Sequence, residues 1–282
     1  MARRSIGTYT WRLAPDGLRS AIEVGALSPL GVDLSNVGFV TPGGFVGLAC
    51  ILEEWTSKYG VVPVVLPNED VTAYMHRMDF FDYFKDRLRL DRDISHLQFR
   101  GRHRASLSEL RTVRDDDDVT EVTKQFCGTL SDRGVPKEKV RRCFAVISET
   151  LDHAVDHARS ACGAYTAIQP WPSLNKVAVA VSDAGVGIPR TISAHPDARG
   201  VAFEDHELIT LAANHLVSSR HDEEGRGGGL TSALQNVRSG SGSMVIWSGR
   251  GWVEFAGMGI ITASELAPTF AGTCAEAVFP IS

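Results

Sequence analysis

The sequence has few cysteines and no long apolar run, and each shortage excludes a class of protein. No stretch of about eighteen apolar residues occurs, so the sequence predicts no transmembrane helix. The five cysteines, at positions 50, 127, 143, 162 and 274, form no CxxC pair, and they indicate neither a disulfide framework nor a zinc site. Two arginines near the N-terminus are followed by no apolar segment of signal length. We therefore expect free thiols, a cytoplasmic location and no membrane attachment.

An excess of charge of one sign is also missing. The chain of 282 residues carries 29 basic and 34 acidic residues, which gives a formal net charge of -5. The short charged runs at Gly101–Arg104 and Arg114–Asp118 are typical of solvated surface rather than of a nucleic-acid interface. We expect neither nucleic acid nor a membrane among the partners. What the composition does supply is 43% hydrophobic residues, enough for the cores of two domains.

The N-terminal part of the sequence predicts alternating strands and helices. Gly31–Val40 is typical of a strand, and Thr41, followed by a proline, is typical of a helix start. The amphipathic helix that follows is expected to end at Gly60. A short apolar strand, VVPVVLP, and a helix capped by Asn68 complete the series. This order indicates a small α/β domain, and the polar residues from 85 to about 118 are interpreted as its boundary.

In the C-terminal part, a strand runs directly into an acidic residue and two glycines. Three valines between positions 177 and 181 alternate with small residues, as in a strand with one packed face. Asp183, at the strand end, can accept a hydrogen bond from an exocyclic amine. Gly185 and Gly187 let the backbone approach a ligand where a Cβ would clash. This pattern predicts a purine pocket.

Two further segments extend the prediction. The glycines of Gly225–Leu230 precede a helix-like segment, and amide hydrogens at such a helix start suit phosphate oxygens. Upstream, the helical run ISETLDHAVDHA places Glu149, His153, Asp156 and His157 at intervals of three and four, so they share one helix face.

In their order and spacing these motifs resemble the GHKL, or Bergerat-type, ATP-binding fold of histidine kinases, heat-shock chaperones, gyrases and anti-sigma kinases. The segments VSSR at 217–220, SGRG at 248–251 and Gly272-Thr273 are similar to further motifs of that family. The N-terminal half resembles the STAS fold of anti-sigma antagonists, most clearly at VDLSNVGFVTPGGFVGL. The resemblance implies an α/β protein with a STAS-like domain over residues 1–105. A GHKL sandwich over residues 106–282 would follow, with its helices layered on a mixed sheet.

The resemblance implies roles for particular residues. Glu149 matches the general base that orients water toward the γ-phosphate. Asp183 would accept from the adenine amine, and Arg220 or Arg226 would pair with phosphate. The implied ATP-binding set is His153, Asp156, Asp183, Gly185, Gly187, Arg220, Gly225, Arg226, Gly227, Gly228, Gly229, Leu230 and Thr273.

At two positions the chain departs from the family patterns. His153 stands where the family has an asparagine that holds Mg²⁺ through oxygen, whereas imidazole suits zinc, nickel or iron. Three accounts remain open: Asp152 or Asp156 supplies the oxygen, nucleotide binds without efficient turnover, or His153 holds another metal. In the STAS-like half, Gly43 stands where antagonists carry a phosphorylated serine. We therefore expect that half to be an interaction surface or to position the lid of the ATP site, which the resemblance places at VSSR, residues 217–220.

The resemblance implies an ATP-binding regulatory protein, a slow Mg²⁺-dependent ATPase whose nucleotide state controls an unidentified protein partner. Two alternatives stay open: a nucleotide-sensing or scaffolding pseudo-ATPase, and a serine/threonine kinase of the anti-sigma type. Homodimerisation is an alternative to a separate partner. A histidine autokinase is disfavoured because no long two-helix hairpin precedes the ATP-binding half. A methyltransferase is disfavoured by the second glycine motif.

Overall fold

The computed structural model describes residues 11–97, 108–157, 160, 162–198, 200–214, 229–257 and 259–281. The strands of the N-terminal half are β1 (Trp11–Leu13), β2 (Leu27–Ser28), β3 (Gly31–Asp33), β4 (Val37–Val40), β5 (Val62–Val65) and β6 (Leu88–Leu90). Its helices are α1 (Pro15–Glu23), α2 (Pro42–Tyr59), α3 (Glu69–Arg77) and α4 (Phe80–Tyr83).

The C-terminal half carries longer elements. Its strands are β7 (Ser108–Val113), β8 (Ala164–Trp171), β9 (Lys176–Asp183), β10 (Ser243–Ala256) and β11 (Gly259–Pro280). Its helices are α5 (Asp116–Asp132), α6 (Lys137–His157), α7 (Gly187–Ile192), α8 (Asp205–Asn214) and α9 (Gly229–Ser239). Within the described ranges, no helix combines the length and apolar character needed to cross a membrane.

The larger sheet has the strand order β10-β11-β9-β8-β7, and the described pairs are all antiparallel. The mixed sheet expected for this half is therefore wrong for these strands. The physical reason is the connections, because short turns join β8 to β9 and β10 to β11, and a short turn reverses the chain. Parallel and antiparallel pairs do combine in the smaller sheet of the N-terminal half, which has the order β2-β3-β5-β6.

The larger sheet is covered on both faces. The valines 177, 179 and 181 of β9 belong to a core shared with α5, α6, α8 and α9. Between them, Ala180 belongs to a second core, which also contains residues of α1 and α2. Because alternate residues of a strand point to opposite faces, β9 separates the two layers. The two halves of the chain thus share a core across one face of this sheet.

Helix α2 is buried along its first two-thirds. Thr41 caps it by accepting a hydrogen bond from the Gly44 N–H at 3.2 Å, and the helix ends at Gly60, as the sequence predicts. A Cβ on Gly44 would lie 2.0 Å from the Leu13 carbonyl oxygen, so a glycine is required where β1 passes the helix. The amphipathic pattern expected for this helix is not what residues 42–52 show, because they are buried all round, and such a segment belongs in an interior. Here that interior lies between the larger sheet and the remainder of the N-terminal half.

Three predicted elements of the N-terminal half differ in the structure. The strand expected over Gly31–Val40 is two strands in different sheets, β3 and β4. The chain turns between them, where the Val37 N–H donates to the Leu34 carbonyl. The helix expected after Asn68 is interrupted at Asp79, which has a φ of 60°. Helix α1 lies before Gly31, where the sequence-based prediction contains no helix.

Candidate functional site

A pocket lies between α6 and the larger sheet, beside the start of α9. The enclosed cavity is small, about 20 Å³, and it opens to solvent on one side. Apolar side chains form most of its wall, with a carboxyl, an imidazole and two hydroxyl groups among them. The lining residues are Thr150, His153, Ala154, Val181, Asp183, Ile188, Leu230, Ile246, Thr273 and Ala275.

Asp183 is the buried acidic group of this pocket. It ends β9, is 3% exposed, and is paired in register with Thr273 of β11. Its Oδ1 accepts a hydrogen bond from the Gly185 N–H at 2.8 Å. Burial raises the pKa of Asp183 to about 7, against the opposing effect of the backbone N–H groups of Gly185 and Thr273. A carboxyl group at this depth is costly unless it serves a ligand or a hydrogen-bond network.

Two glycines with positive φ enclose Asp183. Gly187 has a φ of 77°, and a Cβ there would lie 2.9 Å from the Ser248 Oγ and 3.0 Å from the Gly272 carbonyl oxygen. Gly272 has a φ of 84°, and a Cβ there would lie 2.0 Å from the Asp183 carbonyl oxygen. The loop after β9 and the strand β11 therefore approach each other as backbone against backbone, which only glycine permits.

Ser248 joins the elements around the pocket, and the sequence prediction did not assign it a role. Its Oγ accepts from the Ile188 N–H at 2.9 Å and donates to the Gly272 carbonyl at 2.7 Å. It also lies 3.0 Å from the Thr273 hydroxyl. The resemblance implied only a turn at SGRG, residues 248–251. The sequence carries no clear signal for the burial of this hydroxyl, because the four residues before it, Met244 to Trp247, are all apolar and show no alternation.

Glu149 belongs to α6, and its side chain lies against the start of α9. A Cβ on Gly229, the first residue of that helix, would be 2.9 Å from the Glu149 Oε2. Burial raises the pKa of Glu149, while a hydrogen bond from the Ser232 side chain acts in the opposite direction. The carboxylate thus lies beside the first turn of α9, and helix N-termini favour negative charge. Ser232 is a second residue that the sequence prediction missed.

The structure brings together several of the predicted site residues. His153, Asp183, Leu230 and Thr273 line the pocket, and Gly185 and Gly187 follow Asp183 toward α7. Asp152 is exposed on α6. Asp156 is on the same helix, but its side chain is not among those that the structure describes. The predictions for Arg220, Gly225, Arg226, Gly227 and Gly228 also lie outside the described residues.

The side chains around the pocket suit a purine better than they suit Mg²⁺. An apolar wall and one buried carboxyl are what a flat ring with an exocyclic amine requires. Mg²⁺ requires a near-octahedral shell of oxygen atoms. Among the described side chains on this part of α6, Glu149 and Asp152 offer carboxylates, but neither lines the pocket, where the residue one turn after Glu149 is the imidazole of His153. The described lining of the pocket therefore does not match a magnesium shell.

Comparisons with family models and with curated proteins found no match to this chain.

Proposed function

We propose that this chain binds ATP in the pocket between α6 and β9, hydrolyses it slowly, and controls a protein partner through its nucleotide state. The observation that carries the proposal is the buried carboxyl of Asp183 inside an apolar pocket. Adenine offers an exocyclic amine that can donate to this carboxyl and a ring that can lie against the apolar wall.

The start of α9 supports a phosphate site at the other end of the nucleotide. Gly229 begins this helix and directly follows the glycine-rich segment from Gly225. Helix N-termini attract anions because their first amide hydrogens have no partner within the helix. A triphosphate that extends from Asp183 toward α9 would also come close to Glu149, which lies against Gly229.

Glu149 has the environment that a general base requires. Its pKa is raised by burial, and a base works best when its pKa approaches the working pH. We assign it the role of accepting a proton from the water that attacks the γ-phosphate. The hydrogen bond from Ser232 would hold the carboxylate toward α9.

The packing of α2 supports a regulatory output. This helix contacts the larger sheet on the face opposite to α6 and α9, and its partners include Ala180 of β9 and Cys274 of β11. These residues are close neighbours of Asp183 and Thr273 in the two strands that line the pocket. A shift of either strand on nucleotide binding would therefore reach the N-terminal half directly.

Calorimetric titration with ATP and ADP, in Mg²⁺ or in EDTA, tests the proposal. The Asp183→Asn variant is the probe, because an amide places a donor or a weaker acceptor where the carboxylate faced the base. We expect a loss of affinity of at least tenfold. Asp132→Asn, at the exposed end of α5, is the matched control. ATP affinity equal in wild type and Asp183→Asn, or absent from both, would reject the pocket as an adenine site.

His153 favours a second candidate, a nucleotide sensor without turnover. An imidazole in the pocket lining supplies no oxygen ligand for Mg²⁺. The two candidates differ in measurable ways. The sensor binds ATP equally well in EDTA and releases no phosphate, whereas the slow ATPase releases phosphate. His153→Asn should increase the Mg²⁺ dependence of binding if the histidine is what weakens the metal site.

A further inference from the structure

A second group of polar side chains lies away from the pocket, where the first turn of α8 meets the paired strands β10 and β11. Glu204, His206 and Glu265 each bring one ligand atom to within 4.8 Å of the other two. The Nδ1 of His206 is 3.3 Å from the Glu204 Oε2 and 3.3 Å from the Glu265 Oε1. One imidazole nitrogen thus faces two carboxylate oxygens.

The backbone holds this arrangement independently of the three side chains. Gly251 is paired with Glu265, and a Cβ on Gly251 would lie 2.5 Å from the His206 backbone nitrogen. The glycine therefore lets α8 approach the two strands closely. The Arg250 N–H donates to the Asp205 Oδ2 at 2.8 Å, which anchors the same turn of the helix.

The distances are those that a bound metal ion requires of neighbouring ligands, and one histidine cannot satisfy both carboxylates. The Nδ1 of a neutral imidazole has either one hydrogen or one lone pair, so it can satisfy only one of two carboxylates. Zinc binds histidine nitrogen and carboxylate oxygen at about 2.0–2.2 Å, so neighbouring ligands in a tetrahedron are about 3.4 Å apart. Both separations at Nδ1, each 3.3 Å, agree with that edge length.

Glu265 is also oriented as a metal ligand usually is. Its Oε1 accepts from the His206 backbone N–H at 3.1 Å, and its Oε2 faces the Arg250 Nε at 3.9 Å. Such contacts fix the rotation of a carboxylate and leave a lone pair on Oε1 for an ion. A ligand set of one imidazole and two carboxylates suits zinc and its neighbours in the first transition row, whereas Mg²⁺ and Ca²⁺ prefer oxygen alone.

We propose that Glu204, His206 and Glu265 bind a divalent transition-metal ion of the zinc class, which ties the first turn of α8 to strands β10 and β11. The site is independent of the proposed nucleotide pocket. Water would supply the fourth ligand, since the Glu204 side chain is 64% exposed.

The experiment uses the full chain, freed of nucleotide and treated with a chelator, and then dialysed against Zn²⁺. Bound metal is counted, and thermal unfolding is measured with and without Zn²⁺. The variants are His206→Asn, which removes the nitrogen ligand, and Glu204→Gln, which changes an exposed side chain and leaves the fold unaffected. The matched control is His96→Asn, an exposed histidine that faces one carboxylate, Glu69, at 3.6 Å.

We expect wild type and His96→Asn to bind one more equivalent of Zn²⁺ than either site variant. At a free Zn²⁺ concentration of about 100 times Kd, Tm should rise by roughly 5 °C in wild type and not in the site variants. Equal stoichiometry in wild type and Glu204→Gln would overturn the proposal. A Tm rise of the same size with Mg²⁺ would also overturn it.

Discussion

The backbone N–H of Gly43 donates a hydrogen bond of 2.8 Å to the Glu276 Oε1. Gly43 lies in the first turn of α2, whereas Glu276 lies on β11, three residues after Thr273 of the pocket. The Thr41 hydroxyl donates to the same carboxylate, and burial raises the pKa of Glu276. The start of α2 is therefore fixed to a strand of the candidate ATP site through a carboxylate at a helix N-terminus.

Glu276→Ala should destabilise the protein by about 2 kcal/mol. The substitution leaves the Gly43 N–H without its acceptor, and an unpaired buried donor costs about 1–3 kcal/mol. The free energy of unfolding is measured in urea, with Glu254→Ala on the adjacent strand as the control. Glu276→Gln retains an acceptor oxygen, so its free energy of unfolding should fall by less than that of Glu276→Ala. Equal unfolding midpoints for wild type and Glu276→Ala would show that the bond does not hold α2 in place.

Gly272→Ala and Gly257→Ala form a matched pair that separates backbone strain from steric clash. Both glycines have positive φ, 84° and 55°, but only at Gly272 would a Cβ meet other atoms, 2.0 Å from the Asp183 carbonyl oxygen. Gly257→Ala should cost about 1–2 kcal/mol, the penalty of a left-handed conformation. Gly272→Ala should cost clearly more and should also weaken ATP binding, because β11 must move away from Asp183. Similar losses in both variants would contradict this close approach.

The sequence alone predicted the local features around the pocket well. The cap at Thr41 and the strand that ends at Asp183 depend on neighbouring residues, and the structure confirms both of them. Patterns of this kind are readable because a cap or a turn is decided within a few residues.

The contacts between distant segments were not predictable in the same way. Ser248 reaches Ile188 in the first turn of α7 across 60 residues of sequence, and Glu276 reaches Gly43 across 233. Nothing next to a serine in a strand indicates which distant amide it will meet, because that depends on how the layers pack. Helix α1 is a different case, because its own residues carry a helix signal: Pro15 and Asp16 stand in its first turn, and Leu18, Ala21 and Ile22 recur at intervals of three and four.

Asp183→Asn should remove part of the pH dependence of stability. Because burial raises the pKa of Asp183 from 3.8 to about 7, the folded protein binds a proton there between these values while the unfolded chain does not. The contribution of Asp183 to the free energy of unfolding therefore falls as pH rises from about 4 to 7, and it stays constant above pH 7. One pKa unit corresponds to about 1.4 kcal/mol, so the effect is at most about 4 kcal/mol.

The measurement is urea unfolding of the nucleotide-free protein at several values of pH from 4.5 to 8. Stability of wild type relative to Asp183→Asn should decline across this interval, whereas wild type relative to Asp132→Asn should not show the same decline. A difference between wild type and Asp183→Asn that stays constant with pH would mean that the carboxyl is ionised throughout and that its burial is compensated.

Glu149→Gln should abolish phosphate release while leaving ATP affinity within about threefold of wild type. The amide fills the same space beside Gly229 but cannot accept a proton, and loss of a general base typically lowers the rate by about 10²–10⁴.

Ser232→Ala gives a finer test. Its hydrogen bond lowers the pKa of Glu149, so its removal should move the acid limb of the rate profile to higher pH. If Glu149→Gln retained the wild-type rate, the base would be another residue. If Glu149→Gln were inactive but Ser232→Ala left the profile unchanged, Glu149 would act by position rather than by proton transfer.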